Sequence, residues 1–307
     1  MPDPKKSRTH NVNLQAMEVF CEVVRLRSFS RGAAAFGLTQ SAASQIVAHL
    51  EETTGAHLID RGPRPLQPTN EGESYYRGCL QLLHGHRSLV ERLERQHGGV
   101  AGSVHVVSVY SVGLYTLNLA VQRFMRQNAG ATVRLEYYHP LKVYGAVLGE
   151  EAEVGVVSYP RGGRQLEVVP WLEEAMALAC PPGHPLAGST DISIRDLDGH
   201  RFVAFDADLE IRRAIDRQFK HHHVDVEIVS EFDNVETIKQ ALEISGAVSV
   251  LPRPSFEREV ERGTLIDIEL KDVDLRRPVG VIHRKRRKLT PTAEQFVDSL
   301  RLGPEGI

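Results

Sequence analysis

Gln40, Ser41, Ser44 and Gln45 cluster within six positions and offer two amides and two hydroxyls, groups short enough to reach base edges in a DNA major groove. For that chemistry they must share the outer face of one helix. Thr39 is placed to cap such a helix, and Ala43, Ile46, Val47 and Leu50 recur at three- and four-residue spacing as the stripe it would bury. Ala48 falls on the outer side with the polar set. Upstream, Ser30 is a candidate N-cap for a first short helix, in which the small residues Ala33–Ala35 let a second helix cross closely above. Gly37 breaks the chain between the two. This is a helix-turn-helix pattern, and DNA is the partner it implies.

From Leu14 to Gly72 the chain resembles the winged helix-turn-helix of LysR-type transcriptional regulators. The resemblance rests on SFSRGAA (Ser28–Ala34), LTQSAAS (Leu38–Ser44) and the closing TNEG (Thr69–Gly72), taken in that order and spacing. It implies a DNA-binding head at residues 1–70, a linker helix that pairs subunits at 71–99, and an effector-binding domain at 100–307. It also implies that Ser30, Arg31, Thr39, His49 and the wing residues Arg61 and Arg64 contact DNA beside the four base-reading candidates. Relatives usually carry basic residues where Gln45 and Ala48 stand, whereas this chain has no lysine or arginine between Gln40 and Gly55. Arginine–guanine pairs worth about 1–3 kcal/mol are therefore unavailable from this helix.

Length and composition agree with a folded regulator of two or three units: 307 residues, 41% hydrophobic and 25% charged. The formal net charge is −3, but residues 1–97 carry 12 Lys and Arg against 10 Asp and Glu, leaving 25 against 30 for the remainder. The positive side thus falls with the DNA-binding candidate. Cys21, Cys79 and Cys180 are scattered and lack metal-ligand spacing, which reads as buried or free thiols in a reducing cytosol. The basic start MPDPKKSRTHN is followed by an amphipathic segment and not by an apolar run, so the expected location is cytoplasmic, with no membrane partner. The uncharged stretch Val104–Val121 contains Ser108, Ser111, Gly113, Thr116 and Asn118, and reads as buried strand, loop and helix instead of a membrane span.

Glu71–His97 contains no proline, and Tyr76, Cys79, Leu83, His86, Val90 and Leu93 alternate by three and four, the seam of a helix pair. Gly85 and His86 are exceptions in that pattern. A homodimer, and a homotetramer as a dimer of dimers, follow from the resemblance, as does contact with RNA polymerase.

The remainder alternates strands and helices, the mark of an α/β architecture. Strands are expected at Val104–Val109, Thr132–Tyr138, Val154–Ser158, Val168–Ala179, Val226–Glu231 and Ala247–Leu251, and helices at Gly113–Gln127, Leu141–Leu148, Leu209–His222 and Val235–Ile244. The resemblance arranges these as two lobes of the periplasmic-binding-protein kind, lobe I near 100–159 and 268–307 and lobe II near 160–267, with hinge strands near Val154–Tyr159 and Leu265–Leu270. Ligands of open α/β sheets settle beyond strand carboxyl ends, beside helix amino termini. That selects Tyr110, Ser111, Phe205, Asp206, Asn234 and Val235 as effector contacts. YSVGLY resembles the family loop whose hydroxyl holds an effector, so Ser111 leads the set. The helix termini favour a small anion, against which Asp206, Asp208 and Glu210 weigh.

Two further clusters have ordinary readings. Arg284–Lys288 reads as a solvated turn before a last helix capped by Thr290 and Pro291. His221–His223 reads as a helix end, where cationic rings suit the dipole, and not as a metal site. No catalytic residue, metal or cofactor is expected: GxSxG, a Gly-rich phosphate loop, HExxH and paired CxxC are all missing from the sequence. The rival to a DNA-binding regulator is a small-molecule-binding protein whose head has lost DNA affinity.

Overall fold

The computed structural model describes residues 13–62, 65–95 and 101–301, and the chain divides after Arg92 into two compact units. In the first, α1 (Leu14–Leu26), α2 (Phe29–Ala34) and α3 (Gln40–Thr54) precede a two-stranded wing, β1 (Ile59–Asp60) and β2 (Gln67–Pro68), and the long helix α4 (Asn70–Arg95). The N-cap of α2 is Ser28, whose hydroxyl accepts from the Arg31 amide; Ser30 is the second residue of the helix. The serine with extended backbone takes the cap, and that serine lies two positions earlier than the sequence suggested. Thr39 caps α3 as its position predicts, accepting from the Ala42 amide at 3.2 Å, and Ala43, Val47 and Leu50 are buried.

The segment TNEG joins the wing to α4. Thr69 donates to the His57 carbonyl and accepts from the Gly72 amide, at 2.6 and 2.9 Å. Gly72 passes so close to the wing that a Cβ there would stand 1.8 Å from the Leu58 carbonyl oxygen. Tyr76, Cys79 and Leu83 then turn into the core of this same unit, where Cys21 of α1 and Cys79 of α4 are both buried. This corrects the expected pairing seam. Those three residues are consumed by their own domain, and the apolar residues left exposed on α4 are Leu82, Leu89, Val90 and Leu93, with His86 also exposed. All three cysteines are buried free thiols.

The second unit opens with β3 (Ala101–Val109), which runs into a short α5 (Tyr110–Val112), a π-helical turn at Gly113–Leu117 and α6 (Asn118–Gln127). There follow β4 (Gly130–Tyr138), α7 (Pro140–Leu148), β5 (Val154–Ser158) and a fifteen-residue strand β6 (Leu166–Cys180). Next come β7 (Asp191–Ile192), β8 (Arg201–Phe205), α8 (Glu210–His222), β9 (Glu227–Phe232), α9 (Val235–Ser245), β10 (Ser249–Pro252) and α10 (Glu257–Arg262). β11 (Ile266–Leu270), β12 (Arg276–Arg284) and α11 (Pro291–Arg301) complete it. The order β4-β3-β5-β12-β6-β11-β7 forms one sheet, with β10 also on β6, while β8 and β9 pair in parallel beside it.

Two apolar cores occupy this unit, and β6 belongs to both. Leu166 and Val169 enter the first core with β3, β5 and β12; Met176–Cys180 enter the second with β8, β10 and β11. The lobes therefore exchange chain within β6 and again between Leu275 and Arg276. β5 lies in the first core with Tyr159, just beyond it, packed on the second, and β11 lies in the second core.

The basic run before α11 folds onto Glu150, whose carboxylate binds Arg284 at 2.6 Å and Arg287 at 2.8 Å. His221–His223 close α8, with His223 in the left-handed cap conformation. Among the described residues no group of side chains has metal-holding geometry, and no helix is long and apolar enough to cross a membrane.

Candidate effector cleft and DNA-reading face

On the first unit, Gln40, Ser41, Gln45 and His49 are exposed along α3 and Ser44 is half-buried. Arg61 reaches from the wing to this helix. Its guanidinium lies 3.5 Å from the Ser44 hydroxyl and 3.4 Å from Glu51, and it stacks over Phe29 with 5.5 Å to the ring centroid. The other Glu51 oxygen accepts from the amides of Leu58 and Ile59, so one buried-side carboxylate fixes both the start of the wing and its arginine. Arg31 donates to the Leu26 carbonyl at 2.6 Å, closing the end of α1. Arg64 lies outside the described residues.

The second unit holds a cavity of about 270 Å³ between its lobes. Tyr110 and Ser111 come from the end of β3, and Tyr138, His139 and Tyr144 from β4 and α7. Phe205, Asn234 and Val235 face them from the other lobe, with Tyr159, Arg161 and Arg277 on the connecting chain. Five of the six residues selected from the sequence thus meet here. Asp206 does not: its amide continues the sheet by donating to the Phe232 carbonyl at 3.0 Å. Phe205 faces the cavity, and strand alternation turns the next residue away. Partial burial, reinforced by Asp233, Asp208 and Glu231, raises the Asp206 carboxyl above its ordinary pKa.

Arg277, which lines the cavity, is held by an ion pair that sequence reading did not find. Arg277 is 1% exposed and sits opposite Glu174 in the β12–β6 ladder. Its Nε donates to Glu174 at 2.7 Å, its Nη2 donates to the same carboxylate, and its Nη1 donates to the Ser111 hydroxyl at 2.6 Å. Thr116, on the π-helical turn, donates to the second Glu174 oxygen at 2.6 Å. A buried guanidinium is tolerable only when its donors are so matched. The sequence carried little signal, since Glu174 follows Glu173 and Arg277 follows Arg276, and nothing in the order distinguishes the buried member of each pair from the exposed one.

At the cavity mouth Glu210 pairs with Arg161 at 2.6 Å and with Arg213, while His139 stands 3.7 Å from Asp208. α8 starts at Glu210 with no side-chain cap, and α7 likewise at Pro140, so both direct unclosed amides toward the cleft. Tyr159 adopts φ +49°, a conformation unfavourable to a bulky side chain, and burial raises its phenol pKa. Behind the cleft, Tyr115 donates to Glu236 and accepts from Lys239 Nζ at 2.6 Å, a clasp between the lobes. Lys239 is buried and also donates to the Ser255 carbonyl and to Glu259, each at 3.0 Å.

Residues 14–73 match the family described as bacterial regulatory helix-turn-helix protein, lysR family, and residues 97–303 match the LysR substrate binding domain. The regulator YeiE of Escherichia coli strain K12, itself described as uncharacterized, is 25% identical over 288 residues, covering 94% of this chain and 97% of the relative. A full-length OxyR variant from Pseudomonas aeruginosa superposes with a TM-score of 0.70 at 17% identity, covering 96% of each chain. Full-length CbnR bound to its target DNA gives 0.68 at 17% identity, covering 94% of this chain and 99% of that one.

Proposed function

The chain belongs to the LysR family, DNA-binding transcriptional regulators controlled by small-molecule effectors and not enzymes, and from that premise we propose the residues by which it does so. Gln40, Ser41, Ser44 and Gln45 read base edges from α3. Ser30, Arg31, Thr39, His49, Arg61 and Arg64 hold the phosphates on either side. The effector is a small organic anion with an apolar body. Its charge meets Ser111, the edge of the Arg277 guanidinium and the open amino terminus of α8, and its body lies against Tyr110, Phe205, Asn234 and Val235. The observation that carries this reading is the buried Arg277 donating to Ser111 on the cavity floor.

Binding alters DNA affinity only through a difference in effector affinity between two arrangements of the lobes. Arg161–Glu210 is the contact across the cleft that an incoming anion competes with, since both seek the same guanidinium. Two subunits pair through the exposed leucines of α4, and pairs of dimers engage one promoter in the cytoplasm, where the bound regulator contacts RNA polymerase.

The test is a titration of the purified protein against the intergenic DNA beside its own gene, with random DNA as competitor, repeated across a panel of small organic acids and their neutral amides. Specific binding shifted by an acid and not by its amide is the expected result. Equal affinity for both DNAs would favour the sensor with a non-functional head, and a response to amides alone would overturn the anionic effector.

A further inference from the structure

The π-helical turn Gly113–Leu117 stands where the two lobes and both of their chain crossings meet. Val112 and Leu117, at its ends, enter the first core, whereas Tyr115 between them packs against the second. Thr116 bonds Glu174, in the stretch of β6 that passes from one core to the other, and Glu174 holds Arg277, just beyond the second crossing. The turn is also fixed to its own lobe. A Cβ on Gly113 would stand 2.4 Å from the Tyr137 ring, so the backbone is pressed against β4.

The ties between the lobes differ in kind on the two sides of the cleft. Behind it, Tyr115 donates to Glu236 and accepts from Lys239 at 2.6 Å. Lys239 is 4% exposed, and its ammonium is further matched by the Ser255 carbonyl, Glu236 and Glu259 at 3.0, 3.1 and 3.0 Å. Pulling Tyr115 away would strip a buried cation of one partner, which is costly where water cannot replace it. At the mouth, the Arg161 side chain that pairs with Glu210 is 67% exposed, and the Asp208 side chain facing His139 is 58% exposed. Water replaces such partners at little cost.

We propose that this turn is the pivot of lobe closure, with Tyr115 as its bearing on the second lobe. The lobes swing at the Arg161–Glu210 mouth while the Tyr115–Glu236–Lys239 contact stays made, a hinge closure and not a sliding one. The inference rests on the effector reading above. Tyr115 lies outside the cavity lining and is a positioning residue. It acts through Ser111, four residues before it in the chain, and through Val235, which precedes Glu236 on α9. An effector seated between Ser111 and Val235 therefore changes the angle between the lobes and leaves the contact behind them in place.

Spin labels on the full-length protein test the pivot without any effector. One pair spans the mouth, Lys142→Cys with Ala207→Cys, and another spans the pivot, Leu119→Cys with Arg258→Cys; all four positions are exposed, and the native cysteines are buried. Labelled protein is mixed with excess unlabelled protein, and distances are read by double electron–electron resonance. The mouth pair should give the broader distribution. Tyr115→Phe, which leaves Lys239 its three other partners, should broaden the pivot pair, and Glu236→Ala, which removes the acceptor from the opposite lobe, should do the same. A pivot pair as broad as the mouth pair in the wild type, or one unmoved by both variants, overturns the pivot. The variants are then titrated against the intergenic duplex with the panel of organic acids. Any acid that shifts the wild-type midpoint should shift Tyr115→Phe less, and a shift of full size counts against the pivot. A wild type whose DNA binding no acid moves overturns the effector reading, and the label distances still decide the pivot.

Discussion

Ser111 and Arg277 are 166 positions apart in the chain and share a 2.6 Å hydrogen bond, the hydroxyl at the head of α5 accepting from a guanidinium that Glu174 neutralises. The hydroxyl is thereby oriented before any effector arrives. Ser111→Trp should abolish the response to effector and leave DNA affinity without effector unchanged, measured as the shift in DNA-binding midpoint on adding ligand. A retained shift would remove Ser111 from the site.

The Glu174–Arg277 pair makes a separable prediction. Replacing either partner strands a buried charge, and Glu174→Leu or Arg277→Met alone should cost about 3–5 kcal/mol in urea unfolding. The two together should recover most of that loss, because apolar side chains of similar size need no partner. Additive losses would mean the two side chains do not act as a pair.

Two glycines of α4 should respond to alanine with opposite sign. At Gly72 the added methyl meets the Leu58 carbonyl at 1.8 Å, so the wing or the helix must shift, at a cost of about 1–3 kcal/mol. At Gly85 nothing lies within 4 Å, and the better helix propensity should stabilise by about 1 kcal/mol. Thermal melting of the two variants side by side measures the difference.

Tyr115 gives the clearest pH dependence. Burial, then its bond to Glu236, pushes the phenol from an ordinary value of 10.0 up to about 12, against the pull of Lys239. The folded state thus holds the proton more tightly than the unfolded chain. Its contribution to stability is fully present below pH 10 and falls away as pH rises toward about 12. Lys239, whose pKa is also raised, acts in the same direction. Wild type should lose more stability than Tyr115→Phe across that window, with phenolate absorbance reporting the ionisation.

Leu89 is 56% exposed on α4 and part of the face proposed for subunit pairing. Leu89→Glu should yield monomers by sedimentation and weaken promoter binding by about 10²–10⁴-fold, the advantage of a tethered second contact. A variant that remains dimeric would move the interface elsewhere.

The helix-turn-helix was legible because its parts are local: Thr39 caps what immediately follows, and a stripe such as Ala43–Val47–Leu50 needs no knowledge of the rest of the chain. Most strands and helices of the second unit were legible for the same reason, β5 and α9 nearly to the residue. What failed depended on distant partners. Tyr76, Cys79 and Leu83 have the same spacing whether they face another subunit or α1, and periodicity cannot distinguish the two. Glu174 comes to hold the cavity-lining Arg277 only through the register of β6 against β12, over one hundred positions apart. Ser28 and Ser30 are equivalent in type, and only the backbone at the cap separates them.

The strand β6 has a consequence for how the second unit is held together. Its first half completes one core and its second half the other, so cutting the chain between the lobes would leave each fragment without part of its central ladder. Neither lobe can be expressed, inherited or exchanged as an independent module. Heat should melt both together in one transition, and whatever motion the effector selects must be accommodated at the two crossings, by twist within β6 and at the Leu275–Arg276 junction.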